Sequence, residues 1–367
     1  NNIIMTQTIL RFKFIKASLI WTLLLGTILT ACSDKEDNPP PPADKTDLQA
    51  TVTSSQALYD GTVEGTKPGQ YVVGSKTTYG AVLDQAKAVL ADPNATQTAV
   101  TNANAQLQAA TTAYQSNKIN EIAAANLIGY WKMNGNADDS SGNDNDGVVT
   151  VGHAFFGAGT PTLTADRFTR TAMAYHFDKG GNLNVPYKAS LNPPEMTISL
   201  WAKWSSTGRT VNTDTYTFVA LNRWNGYKFQ LQSGHLPFYT VKAIKPAGDT
   251  TIYDRDDAGI AIAENTWRHI VVTFKSGEMK FYIDGDLVKT WDAASSGPVP
   301  GNALTLPSPI DFVIGQDLPT STYLTVDGDF QVAWGGFFTG DMDDVMFYNI
   351  ALDGPQVQSI FINQNTL

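Results

Sequence analysis

At 367 residues the chain is long enough for two domains of about 100 to 200 residues each. Its formal net charge of -10 argues against nucleic acid and against adhesion to anionic lipid headgroups. With a single cysteine, Cys32, no intramolecular disulfide can form, so burial alone must hold the fold.

The first segment reads as an export signal. Arg11, Lys13 and Lys16 form a basic n-region, Ala17 to Ala31 is mostly apolar, and Leu29-Thr30-Ala31 puts small residues directly before Cys32. The apolar run is shorter than the ~20 residues that span a bilayer, which predicts a signal peptide over residues 1–31. Leu29-Thr30-Ala31-Cys32 resembles a lipobox, implying that Cys32 is lipidated and begins a mature chain more acidic than the whole. Ser33-Asp34-Lys35-Glu36-Asp37, Asn38 and the prolines 39–42 follow. They predict a stiff, acidic, Pro-rich tether over residues 32–46, extended at about 3.1 Å per proline. An acidic tract after the lipid-bearing cysteine also resembles the surface-export signal of some Gram-negative lipoproteins. The expectation is an outer-membrane lipoprotein displayed at the cell surface, touching the membrane through its lipid alone. A solvated tether on the periplasmic face is the alternative.

Residues 47–120 change to helical periodicity. Val100, Ala103, Leu107, Ala110 and Tyr114 recur every three or four positions, and Tyr79, Leu83, Ala86 and Leu90 do nearly the same. Leu48, Val52 and Leu58 predict a first helix ending near Gly61, while Ser75 and Thr96 are the expected caps of the second and third. Three such stripes can be buried only against one another, giving a small bundle. Its spacing and the punctuation Gly69-Gln70-Tyr71 and Gly74-Ser75 resemble the FIVAR-type three-helix modules found beside carbohydrate-active domains. A spacer role is expected, with an independent binding role as the alternative.

From residue 121 to 367, glycine, aromatics and two-residue alternation take over. The run from Trp267 to Phe274, then Ser276-Gly277, Met279 to Ile283, Asp284-Gly285 and Leu287-Val288 predicts a three-strand meander with tight turns. Met279, Phe281 and Ile283 share one face, and Lys280 and Tyr282 the other. Three further stretches occur in order: residues 127–133 with Asp139-Ser140-Ser141-Gly142-Asn143, Met196 to Lys203, and Asp341 to Asn349 with Ala351-Leu352. Together these resemble the laminin-G-like jelly rolls of the concanavalin A-like lectin/glucanase superfamily. The expected fold is therefore mainly β, an antiparallel sandwich preceded by the three-helix bundle.

That superfamily includes glycanases, and retaining glycosidases need two carboxylates about 5 to 5.5 Å apart. No Glu-x-Asp-x-x-Glu run occurs, the chain from Leu127 onward has only Glu195, Glu264 and Glu278, and the adjacent Asp343 and Asp344 would point to opposite faces of a strand. The expectation is a non-catalytic domain, with a glycan hydrolase as the lesser alternative. His269 reads as structural, and none of the histidines shares metal-ligand spacing with another. Calcium, held by oxygen-rich loops, is the candidate cofactor. In relatives the opening loop and closing strand lie side by side, so the resemblance implies that Asp139 and Asn143 with Asp343 or Asp344 share one structural ion. The alternative is that these Asp and Asn residues simply make turns.

Trp131, Trp201 and Trp267 fall on positions that the resemblance implies are core. Trp224 with Asn225, Tyr253 with Asp254 and Arg255, and Trp334 sit in polar or Gly-containing segments, and are the candidate ligand-binding residues. The expected partner is an extracellular polysaccharide or glycoconjugate. A protein partner, as for an adhesin or a subunit of an outer-membrane assembly, is the alternative.

Overall fold

A computed structural model describes residues 41–209, 215–304, 306, 309–325 and 336–366. Cys32, the signal segment, most of the tether and Trp334 lie outside the described residues. Residues 43–367 form one compact unit.

Helices α1 (Thr46–Gly61), α2 (Ser75–Ala91) and α3 (Gln97–Gln115) turn their stripes inward as the periodicity requires, burying Leu48, Val52, Leu83, Val100 and Leu107. Tyr71, Tyr114 and Tyr79 stack in series, with ring centroids 4.5 Å apart at each step. Thr96 caps α3 by accepting the Ala99 N–H. Ser75 does not cap α2. Gly74 holds that position at φ +90°, and the Glu64 carboxylate accepts the Lys76 N–H at 2.6 Å.

Residues 116–126 are not a loose connection. Ile119 pairs through its backbone with Gly69 and Gln70, and the Val72 N–H donates to Asn117 O at 3.0 Å. A C-terminal helix, Gly354–Gln364, then reaches back to the helical module, where Ser359 Oγ donates to Thr66 O at 2.6 Å. Asn120 Nδ2 donates to the carboxylate of Asp353, which caps that helix.

The remainder is a sandwich of two antiparallel sheets, each of eight strands among the described residues. The strands are β1 (Leu127–Trp131), β2 (Val148–Thr150), β3 (Thr162–Thr164), β4 (Ala174–Phe177), β5 (Asn182–Val185), β6 (Met196–Trp204), β7 (Thr215–Leu221) and β8 (Tyr227–Gln232). They continue with β9 (Leu236–Ile244), β10 (Thr250–Asp256), β11 (Arg268–Lys275), β12 (Glu278–Ile283), β13 (Asp286–Asp292), β14 (Asn302–Ala303), β15 (Phe312–Ile314) and β16 (Gly340–Tyr348). The first sheet runs β13-β12-β11-β6-β16-β4-β3, with β1 added to β16. The second runs β10-β9-β8-β7-β15-β5-β2, with β14 added to β9. Helix α4 (Thr320–Thr325) follows β15, and α5 (Gly354–Gln364) is the C-terminal helix.

The meander forms as its alternation predicts. Lys275 pairs with Glu278 and Ile283 with Asp286, leaving Ser276-Gly277 and Asp284-Gly285 as two-residue turns. Asp284 and Gly285 both have positive φ, as a primed turn demands. Met279, Phe281 and Ile283 enter the core between the sheets, whereas Tyr282 is buried on the opposite face with Val357 of α5. Trp131 is fully buried and Trp201 nearly so, but Trp201 faces α5, stacking on Phe361 at 5.8 Å. Trp267 is half-buried under the Lys203 ammonium.

Candidate functional site

One face of the second sheet packs against the first. The alternate residues of β7 to β10 therefore look outward, and most are polar: Thr215, Thr217, Lys228, Gln230, Gln232, Thr240 and Asp254, with Phe238 and Ile252 as apolar members of the same face. An outward polar face usually meets water. Here Thr217, Gln230 and Thr240 are nonetheless fully buried. Gly336 comes so close that a Cβ there would stand 2.5 Å from Thr217 Oγ1.

Beside this covered part lies a depression of about 180 Å³, lined by Thr215, Trp224, Lys228, Gln232, Phe238 and Asp254. Its rows follow the strand register: Lys228 stands opposite Thr240, which stands opposite Asp254, and Gln230 stands opposite Phe238. Thr240 Oγ1 donates to Asp254 Oδ1 at 2.5 Å, fixing that carboxylate at the wall. Trp224 is placed by a strained turn between β7 and β8. Asn222 and Arg223 both have positive φ, and a Cβ on Gly226 would stand 2.1 Å from Leu221 O. The half-buried indole thus stands over the sheet rather than in the core. The guanidinium carbon of Arg223 lies 5.0 Å and the Lys228 ammonium 5.3 Å from its ring. Arg223 is itself tied to Asp317 at 2.6 Å and receives support from the Tyr323 hydroxyl.

The other expected ligand residues are placed differently. Asn225 is exposed beside Trp224, its side-chain oxygen accepting from Lys242 Nζ at 3.4 Å. Tyr253 and Arg255 are one residue either side of Asp254, and so face the other way. Tyr253 is buried in the core with its hydroxyl accepting the Val299 N–H, and Arg255 holds the backbone of Ser296 against Trp291. Of that triplet only Asp254 lines the depression. Trp334 lies outside the described residues. Lys228, Gln232 and Phe238 were not legible as site residues. Tyr227-Lys228-Phe229-Gln230-Leu231-Gln232 alternates like any surface strand, and nothing local in it announces that its polar side is partly roofed.

The residues expected to share calcium are engaged with protein partners in this structure. Asp139 accepts the N–H groups of Tyr130, Ser141 and Asn145 together with the Ser141 hydroxyl, which organises the turn. Asn143 Nδ2 donates to Leu127 O at 2.8 Å. Asp343 and Asp344 both hold Arg167, at 2.5 and 2.8 Å, so a resident guanidinium occupies the place where a cation would bind. Among the described residues no group of three or more His, Cys, Asp or Glu side chains converges as a metal site.

This cluster also corrects the expectation that Asp343 and Asp344 point to opposite faces. β16 is bulged between Asp343 and Met346, and Asp344 has φ +48°, which swings its carboxylate to the side of Asp343. Burial first, then the charge of Asp344, pushes the Asp343 carboxyl up against the pull of Arg167. The pair lies under α5, where Arg167 also donates to Gln364 O and sits 4.5 Å from the Trp201 ring. His269, in the same layer, is fully buried, shares a 2.8 Å hydrogen bond with Ser199, and is pushed down to about 3 by burial. It is a neutral packing residue.

Residues 177–358 match the Laminin_G_3 model of the concanavalin A-like lectin/glucanases superfamily. No curated protein matches the chain. Among solved structures, the chain is similar to domain 4 of a GH43 extracellular arabinanase from Geobacillus stearothermophilus, solved with arabinotriose. The identity is 19% and the TM-score 0.44, over 64% of this chain and 97% of that one. The binding domain of Paraclostridial Mosquitocidal Protein 1 is 17% identical with a TM-score of 0.44, over 66% of this chain and 53% of that one. The receptor-binding domain of botulinum neurotoxin C/D mosaic serotype is 16% identical with a TM-score of 0.41, over 66% and 52%. The match thus spans about half the length of the two toxin domains.

Proposed function

Because residues 177–358 form a domain of the concanavalin A-like lectin/glucanases superfamily, we propose that this protein is a non-catalytic binder of extracellular saccharide, and that the outer face of the second sheet is its binding surface. The observation that carries the reading is the juxtaposition of the half-buried Trp224 ring with Lys228, Gln232, Thr215 and Asp254 around one depression. Sugar C–H faces pack on an aromatic plane while hydroxyl groups need donors and acceptors, and both line this depression. Among the described residues Asp254 is the only carboxylate lining the depression. Asp317, the nearby carboxylate, is bound by Arg223 and Tyr323. A double-displacement hydrolysis needs two free acids, so the lining supports binding rather than cleavage.

In a polysaccharide array probed with the full chain, Trp224→Ala is expected to weaken binding at least tenfold, about 1.4 kcal/mol. Unchanged binding by this variant would remove the site, and release of reducing ends from a bound polysaccharide would remove the non-catalytic reading. A second reading, a docked protein partner, is favoured by Val148, Val149, Val151, Phe155 and Leu163, all exposed. They gather at and between the edge strands β2 and β3. Outer-membrane protein captured by wild type and lost in Phe155→Ser, with no saccharide bound, would establish it instead.

The same proposal carries the head at the outer membrane on a lipid attached to Cys32. Cys32→Ala should move the protein from the membrane to the soluble fraction, and retention on membranes would contradict the anchor.

A further inference from the structure

Lys228 stands at the floor of the depression, 6% exposed, on the outward face of β8. Among the described residues its ammonium has no carboxylate or hydrogen-bond acceptor, only the Trp224 ring. The nearest acids are committed elsewhere: Asp254 to Thr240, and Asp317 to Arg223. Lys228 and Asp254 stand two strands apart, a spacing of about 10 Å, with Thr240 between them. Burial pushes the Lys228 ammonium down from its ordinary value, while Asp317 and Asp254 pull the other way.

A lysine this deeply buried is costly unless something negative pairs with it. Elsewhere in this sandwich the buried cations are paired: Arg167 with Asp343 and Asp344, and Arg223 with Asp317. Lys228 departs from that pattern, and it does so where solvent reaches the sheet. Resting on the saccharide reading of this site, we infer that the depression takes an acidic saccharide, whose anionic substituent is received by the Lys228 ammonium. The ring stacks on Trp224, and its hydroxyl groups meet Asp254, Gln232 and Thr215. The anion displaces water from Lys228 and completes an ion pair, so the charge contributes to affinity without a rearrangement of the strand.

The test uses calorimetric titration of the full chain with three probes: oligogalacturonate, the same oligomer fully methyl-esterified, and a sulfated galactan oligosaccharide. The ester keeps the rings and removes the charge. Wild type is expected to bind an acidic probe at least tenfold more tightly than the ester, and a better fit to carboxylate or to sulfate identifies the anion. Lys228→Met keeps the apolar stem and should abolish the preference, bringing the affinity for the acidic probes down to that for the ester. Lys228→Arg should restore part of the preference, which separates loss of charge from loss of fold. Trp224→Ala should weaken all three probes together. Equal affinity for acid and ester, or a preference that survives in Lys228→Met, would overturn the inference and leave the saccharide reading standing. Binding of no probe, with neutral polysaccharides also unbound, would overturn both.

Discussion

Replacing Arg167 with methionine is expected to destabilise the protein by about 3–5 kcal/mol, because the change leaves Asp343 and Asp344 buried together without their common cation. The guanidinium also donates to Gln364 O at the end of α5, where a cation is favoured by the helix dipole. Both effects act on the same helix. Arg167, Asp343 and Asp344 have side chains 6%, 3% and 13% exposed, so water cannot readily take the place of the lost partner. In a β domain of this size the loss corresponds to a fall in Tm on the order of 10 °C. Denaturant titration checks the magnitude, and the triple variant Arg167→Met, Asp343→Asn, Asp344→Asn checks the cause. It should recover much of the lost stability, since it removes the unpaired charges as well as the pair. Wild-type stability in the single variant would mean that the cluster does not hold α5.

The second large effect is expected at Trp131, where substitution by alanine should cost about 3–5 kcal/mol. Its ring is fully buried, stacks on Phe312 at 5.5 Å, and fills the space above Gly129, where a Cβ would stand 2.5 Å from it. Its indole N–H donates to Asn145 O at 2.8 Å, so one side chain joins the core to the turn that Asp139 organises. Trp131→Phe keeps most of the area but leaves that carbonyl without its donor, and should fall between wild type and alanine. Proteolysis offers a second readout. In Trp131→Ala the segment around residues 139–146 should be cut well before the meander of β11 to β13, and simultaneous cleavage would argue that the turn does not depend on this residue.

The parts of the fold that were legible are those whose signals are local. Trp267 to Val288 carries alternation and two Gly-containing turns, and Met279, Phe281 and Ile283 sit on the face that parity gives them, with one irregularity where β13 passes Val288. The helical stripes are equally explicit. What could not be read depends on residues distant in the chain. The cap of α2 comes from Glu64, eleven residues before Ser75, and not from a side chain at the helix start. The bulge in β16 sets Asp344 beside Asp343 through one left-handed residue, which no alternation rule announces. In the site, the segment that holds Trp224 in polar surroundings is visible in the sequence, whereas the triplet Tyr253, Asp254 and Arg255 divides between the two faces of β10. Parity alone picks Asp254 for one face and sends its two neighbours to the other. The depth of Lys228 depends on neighbours brought together by the fold, Trp224 from the β7–β8 turn among them, and no local pattern in β8 announces it.

The short backbone pairing of residues 117–119 with residues 69–72, and the grip of α5 on Thr66, have a mechanical outcome. A pull applied at Ala43 therefore has a hydrogen-bonded route through the bundle to α5, which packs on the first sheet. Were the Trp224 face to hold a polymer as proposed, drag on that polymer would reach the N-terminal bundle through these same hydrogen bonds.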